Sequence, residues 1–211
     1  QVALYEYGRN SLPRDTGFTR KIVGFTGDLD AVSQKLMALE ATKISGSDER
    51  CGHVLHRALQ ELAWSGSPDD LKVICIAGNE SFAQGTIPFP IPCRIAVENS
   101  IEINTIFCGD SRSGISLRWK EGAQLGGGYY SAINQHITRQ RIEAPQDAEL
   151  SSLNTELNQT YVPYNAAGVA AKHRQELADK DAQGFGQSSL SDRAAWKGSS
   201  LYRTDSWDLV E

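Results

Sequence analysis

Oxygen-bearing side chains collect in three short stretches: Asp48 and Glu49 ahead of a helical apolar stripe, Asn79 and Glu80 after an apolar run, and Asp110, Ser111 and Ser113 after another. Carboxylate and carboxamide oxygens suit a hard cation such as Mg2+ or Ca2+ far better than zinc. An equally simple reading has Asp48 and Glu49 complementing the positive end of the helix that follows them. His53 and His56 stand three apart on that helix with no third ligand at a matching spacing, so solvated or cap-adjacent histidines are the simpler reading. Cys51, Cys93 and Cys108 fall near the ends of elements, where a disulfide between two of them or three buried thiols both fit, with burial favoured. Cys75, inside an apolar run, is expected in the core. Ser111 and Ser113 beside Asp110 are raw material for a hydrolase, but no G-x-S-x-G elbow accompanies them. Gly126-Gly127-Gly128 has neither the Lys nor the Ser or Thr of a phosphate-binding loop. Binding is the expected class, and a hydrolase using the loop after Gly109 is the alternative.

These residues need elements to position them, and hydrophobic periodicity supplies candidates. Residues 2–8 and 21–27 read as strands. Asp28 stands at a helix N-cap, with Val32, Leu36 and Leu39 at helical spacing behind it. Residues 43–50 form a polar loop, and 52–64 carry Val54, Leu55, Ala58, Leu59 and Leu62 on one face of a helix. The run at 71–78 is apolar throughout, as in a central strand of a parallel sheet, and 101–109 repeats it. A proline-stiffened loop and a helix at 93–99 lie between them. A short helix at 119–125 and a last strand at 129–133 follow. Strands alternating with helices at this spacing predict an α/β fold with a doubly wound, mostly parallel sheet.

Beyond residue 144 the composition shifts. Leu150, Leu153 and Leu157 mark one amphipathic helix, 166–182 a second, 184–191 a linker, and 196–210 an aromatic-containing tail expected to dock onto the main domain. The division expected is an α/β domain over 1–140 and a helical extension over 141–211. With 21 basic and 26 acidic residues in 211 and no basic track, nucleic acid is an unsuitable partner. No apolar run approaches the roughly 20 residues of a membrane span. The chain starts at Gln1 with neither an initiator Met nor a signal-peptide pattern, which reads as a cut N-terminus.

Taken together, VALYEYG, KIVGFTGDLDAVSQKLMAL, GSDERCGHVLHRALQEL, LKVICIAGNE and INTIFCGD resemble a von Willebrand factor type A domain over residues 2–134. The resemblance implies a Rossmann-like sheet built around a first strand bearing Asp-x-Ser-x-Ser, absent here, whose loss would leave the strands at Val2 and Leu71 without their shared neighbour. It also implies a metal-ion-dependent adhesion site. Where the family has Thr before the helix, this chain has Glu49; where it has Asp-Gly after the fourth strand, this chain has Gly78-Asn79. Glu49 and Asn79 are thus the candidate ligands of a degenerate Mg2+ or Ca2+ site that the 211 residues do not themselves require. A protein partner, and export to the periplasm or cell exterior, are further implications of the resemblance.

Overall fold

The computed structural model describes residues 1–39, 49–134 and 144–210. They form an α/β fold with a C-terminal helical region, divided into two compact units. One comprises Leu4–Phe25 and Ala41–Arg139, the other Gln1–Ala3, Thr26–Glu40 and Gln140–Glu211. The helix at the Asp28 cap therefore groups with the C-terminal helices.

In the α/β unit, β1 (Val2–Tyr7) pairs with β2 (Thr19–Thr26). A Gly8 N–H donated to the Phe18 carbonyl at 3.0 Å puts the end of one strand beside the start of the other, so the pair is antiparallel. A separate sheet runs in the order β3 (Val73–Gly78), β4 (Glu102–Phe107), β5 (Gly127–Ala132), parallel throughout. Helix α2 (Cys51–Glu61), helix α3 (Pro90–Glu98) and helix α5 (Trp119–Leu125) flank that sheet. Val54 and Leu55 from the predicted stripe of α2, with Cys51 at its start, join Cys93, Ile76, Ile103, Phe107 and Trp119 in one core. Phe82 sits edge-on to both Phe89 and Trp119, with ring centroids 5.1 and 4.9 Å away.

Two expectations change here. Lys72 and Gly78 offer their carbonyls to β4, so the intervening peptide groups of Val73, Cys75 and Ala77 point away from it, toward an edge with no second ladder among the described residues. Among the described residues the strand read as central thus lies at an edge, without the neighbour that the strand at Leu71 was also expected to lack, and Cys75 is exposed rather than core. The apolar run signalled burial correctly for Ile76 but carried no information about a neighbour on the far side. Helix α4 (Ser111–Ser116) was not expected; it lacks an apolar stripe and rests on Asp110, whose side chain accepts the Arg112 and Ser113 N–H groups.

The helical unit contains α1 (Leu29–Met37), α6 (Asp147–Thr160), α7 (Asn165–Phe185) and α8 (Gln187–Lys197). Asp28 caps α1 through the Ala31 N–H at 2.9 Å, as its position predicts. The expected linker at 184–191 is instead a sharp joint: Gly186, at φ 118°, ends α7, and α8 begins at Gln187. The tail docks, but within the helical unit: Trp207 is buried, its carbonyl accepts the Tyr164 N–H at 3.0 Å, and Pro163 and Asp208 form a β-bridge.

What holds α1, α6, α7 and α8 together is largely polar. Asp179 on α7 accepts Arg193 Nε at 2.5 Å, Lys197 Nζ at 2.5 Å and Asn158 Nδ2 at 2.7 Å. Arg193 also reaches Asp30 on α1 at 2.6 Å, and Tyr202 donates to Asp30 at 2.7 Å. Two acids and two bases balance, which is what allows such charges to be buried.

Candidate functional site

In an open parallel sheet the carboxyl ends of the strands are where loops can converge on a ligand. Here those ends belong to β3 and β4, and Glu49, from the loop preceding α2, lies over the first of them. Its Oε2 accepts the backbone N–H of Asn79 at 3.0 Å and of Glu80 at 3.1 Å. Its own N–H donates to Gln84 Oε1 at 2.8 Å. Close approach demands glycine on both sides: a Cβ on Gly78 would lie 2.2 Å from Glu49 Oε2, and one on Gly8 3.0 Å from Glu49 Cγ. Burial raises the Glu49 carboxyl above its ordinary range, and the two backbone bonds only partly offset this.

Beneath it, Tyr7 donates its hydroxyl to the Ala77 carbonyl at 2.6 Å, bridging from β1 to the open edge of β3. Burial, and then the nearby Cys51 and Glu49, push that phenol well above its usual value. Cys51 Sγ lies 3.9 Å from the same hydroxyl. All four cysteines are free thiols; Cys51 and Cys93 are buried, and burial raises Cys93 to about 12, so neither is a ready nucleophile at neutral pH.

Glu49 and Asn79, thirty positions apart in the sequence, are thus brought together as the resemblance requires, but through the backbone of Asn79. The Asn79 side chain is exposed at the rim. Asp48 lies outside the described residues. Two oxygen-bearing side chains fall short of the six or more ligands a hard cation takes. Among the described residues no group of three or more His, Cys, Asp or Glu is placed to hold a metal. The carboxylate oxygen nearest the strand end is already held by two N–H donors, so the described residues do not by themselves supply a cation's ligand set.

Asp110 is occupied as the α4 cap: hydrogen bonding from Ser113 first, then from its own backbone neighbours, lowers its pKa. Among the described residues no imidazole stands between this ionised cap and a serine, the arrangement that would activate a nucleophile. His53 is less exposed than a cap-adjacent histidine would be. Its Nε2 pairs with Thr86 Oγ1 at 3.1 Å, and its Nδ1 is buried. Sequence reasoning missed Tyr7, Gln84 and the packing of His53; the glycines at 8, 17, 78 and 85 were the available signal, since each marks a close approach.

These features define an α/β unit with a parallel sheet, whose strand-end rim is closed by a loop carboxylate, joined to a helical unit. No family model matches the sequence, and no curated protein matches it. Among solved structures it is similar to the conserved hypothetical protein BatB from Bacteroides thetaiotaomicron, at 14% identity and a TM-score of 0.45, over 55% of this chain and 66% of that one.

Proposed function

We propose that the α/β unit is a protein-binding module of the von Willebrand factor type A kind, which engages its partner through the rim around Glu49, Asn79 and the start of α4. The observation that carries this reading is the meeting of the loop before α2 with the turn after β3: Glu49 contacts Asn79, the residue that the resemblance sets beside it, and the adjoining Glu80. The rim offers exposed Asn79, Arg112 and Ser113 beside the half-buried Glu49, whose contacts hold the turn after β3 beneath these polar groups. The hydrolase alternative has less support, because Asp110 serves as a helix cap.

The test places a photo-crosslinking residue at Asn79, at Arg112 or at Pro68, which precedes β3 at the sheet's other end, and exposes each variant to extract from the source organism. Discrete adducts from the two rim positions and none from Pro68 are expected. Adducts from Pro68 alone, or robust turnover of ester, peptide or phosphate substrates that Ser111→Ala abolishes, would overturn the reading.

A further inference from the structure

His53, third residue of α2, is wedged between two loops at positions where only glycine fits. Gly17, at φ 70°, would put a Cβ 2.5 Å from the ring Cδ2, and Gly85, at φ 97°, would put one 2.9 Å from Nδ1. The ring therefore fills the space between the β1–β2 loop and the β3–α3 loop. Thr86 Oγ1 engages Nε2 at 3.1 Å, while Nδ1 is buried with no hydrogen-bond partner among the described residues. An uncharged imidazole with its proton on Nε2 leaves only a neutral acceptor unpaired at Nδ1, whereas an imidazolium, which carries a proton on both nitrogens, leaves a charged donor buried there without an acceptor.

We infer that His53 is a proton-sensitive wedge: uncharged, it holds residues 9–18 and 79–89 against the start of α2, and protonation of Nδ1 releases them. The inference adds regulation to the rim proposed above, but it concerns the free chain and is tested without a partner.

Among the described residues the charges around the ring agree on its sign. Arg50, the residue before α2, has its guanidinium 4.7 Å from the Phe18 ring centroid and disfavours a second cation beside it. His56, one turn further along α2, acts in the same direction, as does the positive end of the helix itself. The β1–β2 loop meets the ring with Gly17, and the β3–α3 loop with Gly85 and Thr86, all uncharged. Burial first, then Arg50 and His56, lowers the His53 pKa below 6.5. The open form, with a solvated imidazole, binds protons more readily than the closed one. Closure is therefore fully supported above pH 6.5 and weakens as the pH falls toward the lower, closed-state pKa. Glu49, the second anchor of the β3–α3 loop, has the opposite sign, because its raised pKa makes the closed form the better proton acceptor. Neighbouring anchors reinforce the geometry: a Cβ on Gly52 would lie 2.1 Å from the Ile87 carbonyl, so the loop rests directly on α2.

The experiment is hydrogen exchange of the whole chain between pH 7.5 and 5.5, corrected for intrinsic rates, together with an NMR titration of the histidines. Protection in 79–89 should fall by up to tenfold for each unit by which the His53 pKa lies below its solvated value. The His53 titration should share that midpoint. His53→Gln, which keeps a donor toward Thr86 and cannot be protonated, should flatten the profile, and because Glu49 is present in both proteins the difference isolates His53. If His53→Gln does not fold, the wild-type comparison still decides: protection that stays constant while His53 titrates, or a His53 pKa at or above 6.5, would refute the wedge.

Discussion

Replacing either member of the buried Asp179–Lys197 pair removes the same ion pair, yet the two substitutions should differ sharply in effect. Lys197 has a side chain 0% exposed and donates to Asp179, Asn154 Oδ1 and Asn158 Oδ1. Burial lowers its pKa from 10.5 to about 8 even with Asp179 present to raise it. At about 1.4 kcal/mol per pKa unit, holding the ammonium charged in that position costs about 3 kcal/mol. Lys197→Met removes that cost together with the three bonds, and Asp179 keeps Arg193, Asn154 and Asn158 as donors. The net loss should therefore be smaller than that from Asp179→Asn, because the carboxylate left behind keeps one cation and two amide donors. Asp179 is different. Burial alone would raise its carboxyl, but hydrogen bonds from Lys197 and Asn158 outweigh this and hold it low. Asp179→Asn strips the counter-charge from a buried ammonium and from one side of Arg193, a loss of about 3–5 kcal/mol. The assay is native-state hydrogen exchange of α7 and α8 in increasing urea, which reads this unit apart from the α/β unit. A Lys197→Met protein as unstable as Asp179→Asn would refute the reasoning, because it would mean the ammonium carries little desolvation cost.

Four further outcomes follow from the same structure. The helical unit should gain stability from pH 8 to about 9.5, since the unfolded chain holds the Lys197 proton up to 10.5 while the folded chain releases it at about 8, and Lys197→Met should lack that gain; the interval stops short of pH 10 because Tyr202, whose folded pKa is raised, reverses the trend there. Gly52→Ala should destabilise the α/β unit by about 2 kcal/mol or more in urea titrations despite alanine's better helix propensity, whereas Gly24→Ala, with no atom within 4 Å of its new Cβ, should avoid any such clash. Glu49→Gln keeps an oxygen for the Asn79 and Glu80 N–H groups but loses its charge, and should cost about 1 kcal/mol by the same measurement. Calorimetric titration with Mg2+ and Ca2+ should give no saturable heat from these 211 residues; saturable binding lost in Glu49→Gln but kept in Asn79→Ala would establish a cation site after all.

The α/β pattern was legible wherever burial is apolar and periodic. Val54, Leu55 and Ala58 read as the stripe of α2 and are buried; Ile101 and Ile103 read as core and are; Asp28 read as a cap and is one. Legibility failed where polar atoms do the organising. The first half of helix α8 was taken for linker because its sequence shows no apolar face, and in the folded chain Arg193 and Lys197, further along the helix, bind it to Asp30 and Asp179, partners up to 163 positions away. No periodicity encodes such pairing, since Arg, Lys and Asp read as solvated until a counter-charge is shown beside them. Cys75 failed for another reason: an apolar run reports that a strand can be buried, while its exposure depends on whether a neighbour occupies the edge.

The same distinction explains the rim. Glu49 could be singled out because a carboxylate ahead of a helix is conspicuous, but its role could not, since the carboxylate is equally suited to a cation and to two backbone N–H groups. In the folded chain the turn after β3 presents the Asn79 and Glu80 N–H groups together, within 3.1 Å of one oxygen. Gly78 permits that approach, for any side chain there would meet Glu49, Tyr7 and Trp119 at once. A Gly78→Ala substitution should therefore disturb the rim as severely as removing Glu49, although it leaves every polar group in place. Exchange of the Asn79 and Glu80 amides measures this directly, and amides in Gly78→Ala as protected as in the parent chain would show that the carboxylate does not hold the turn.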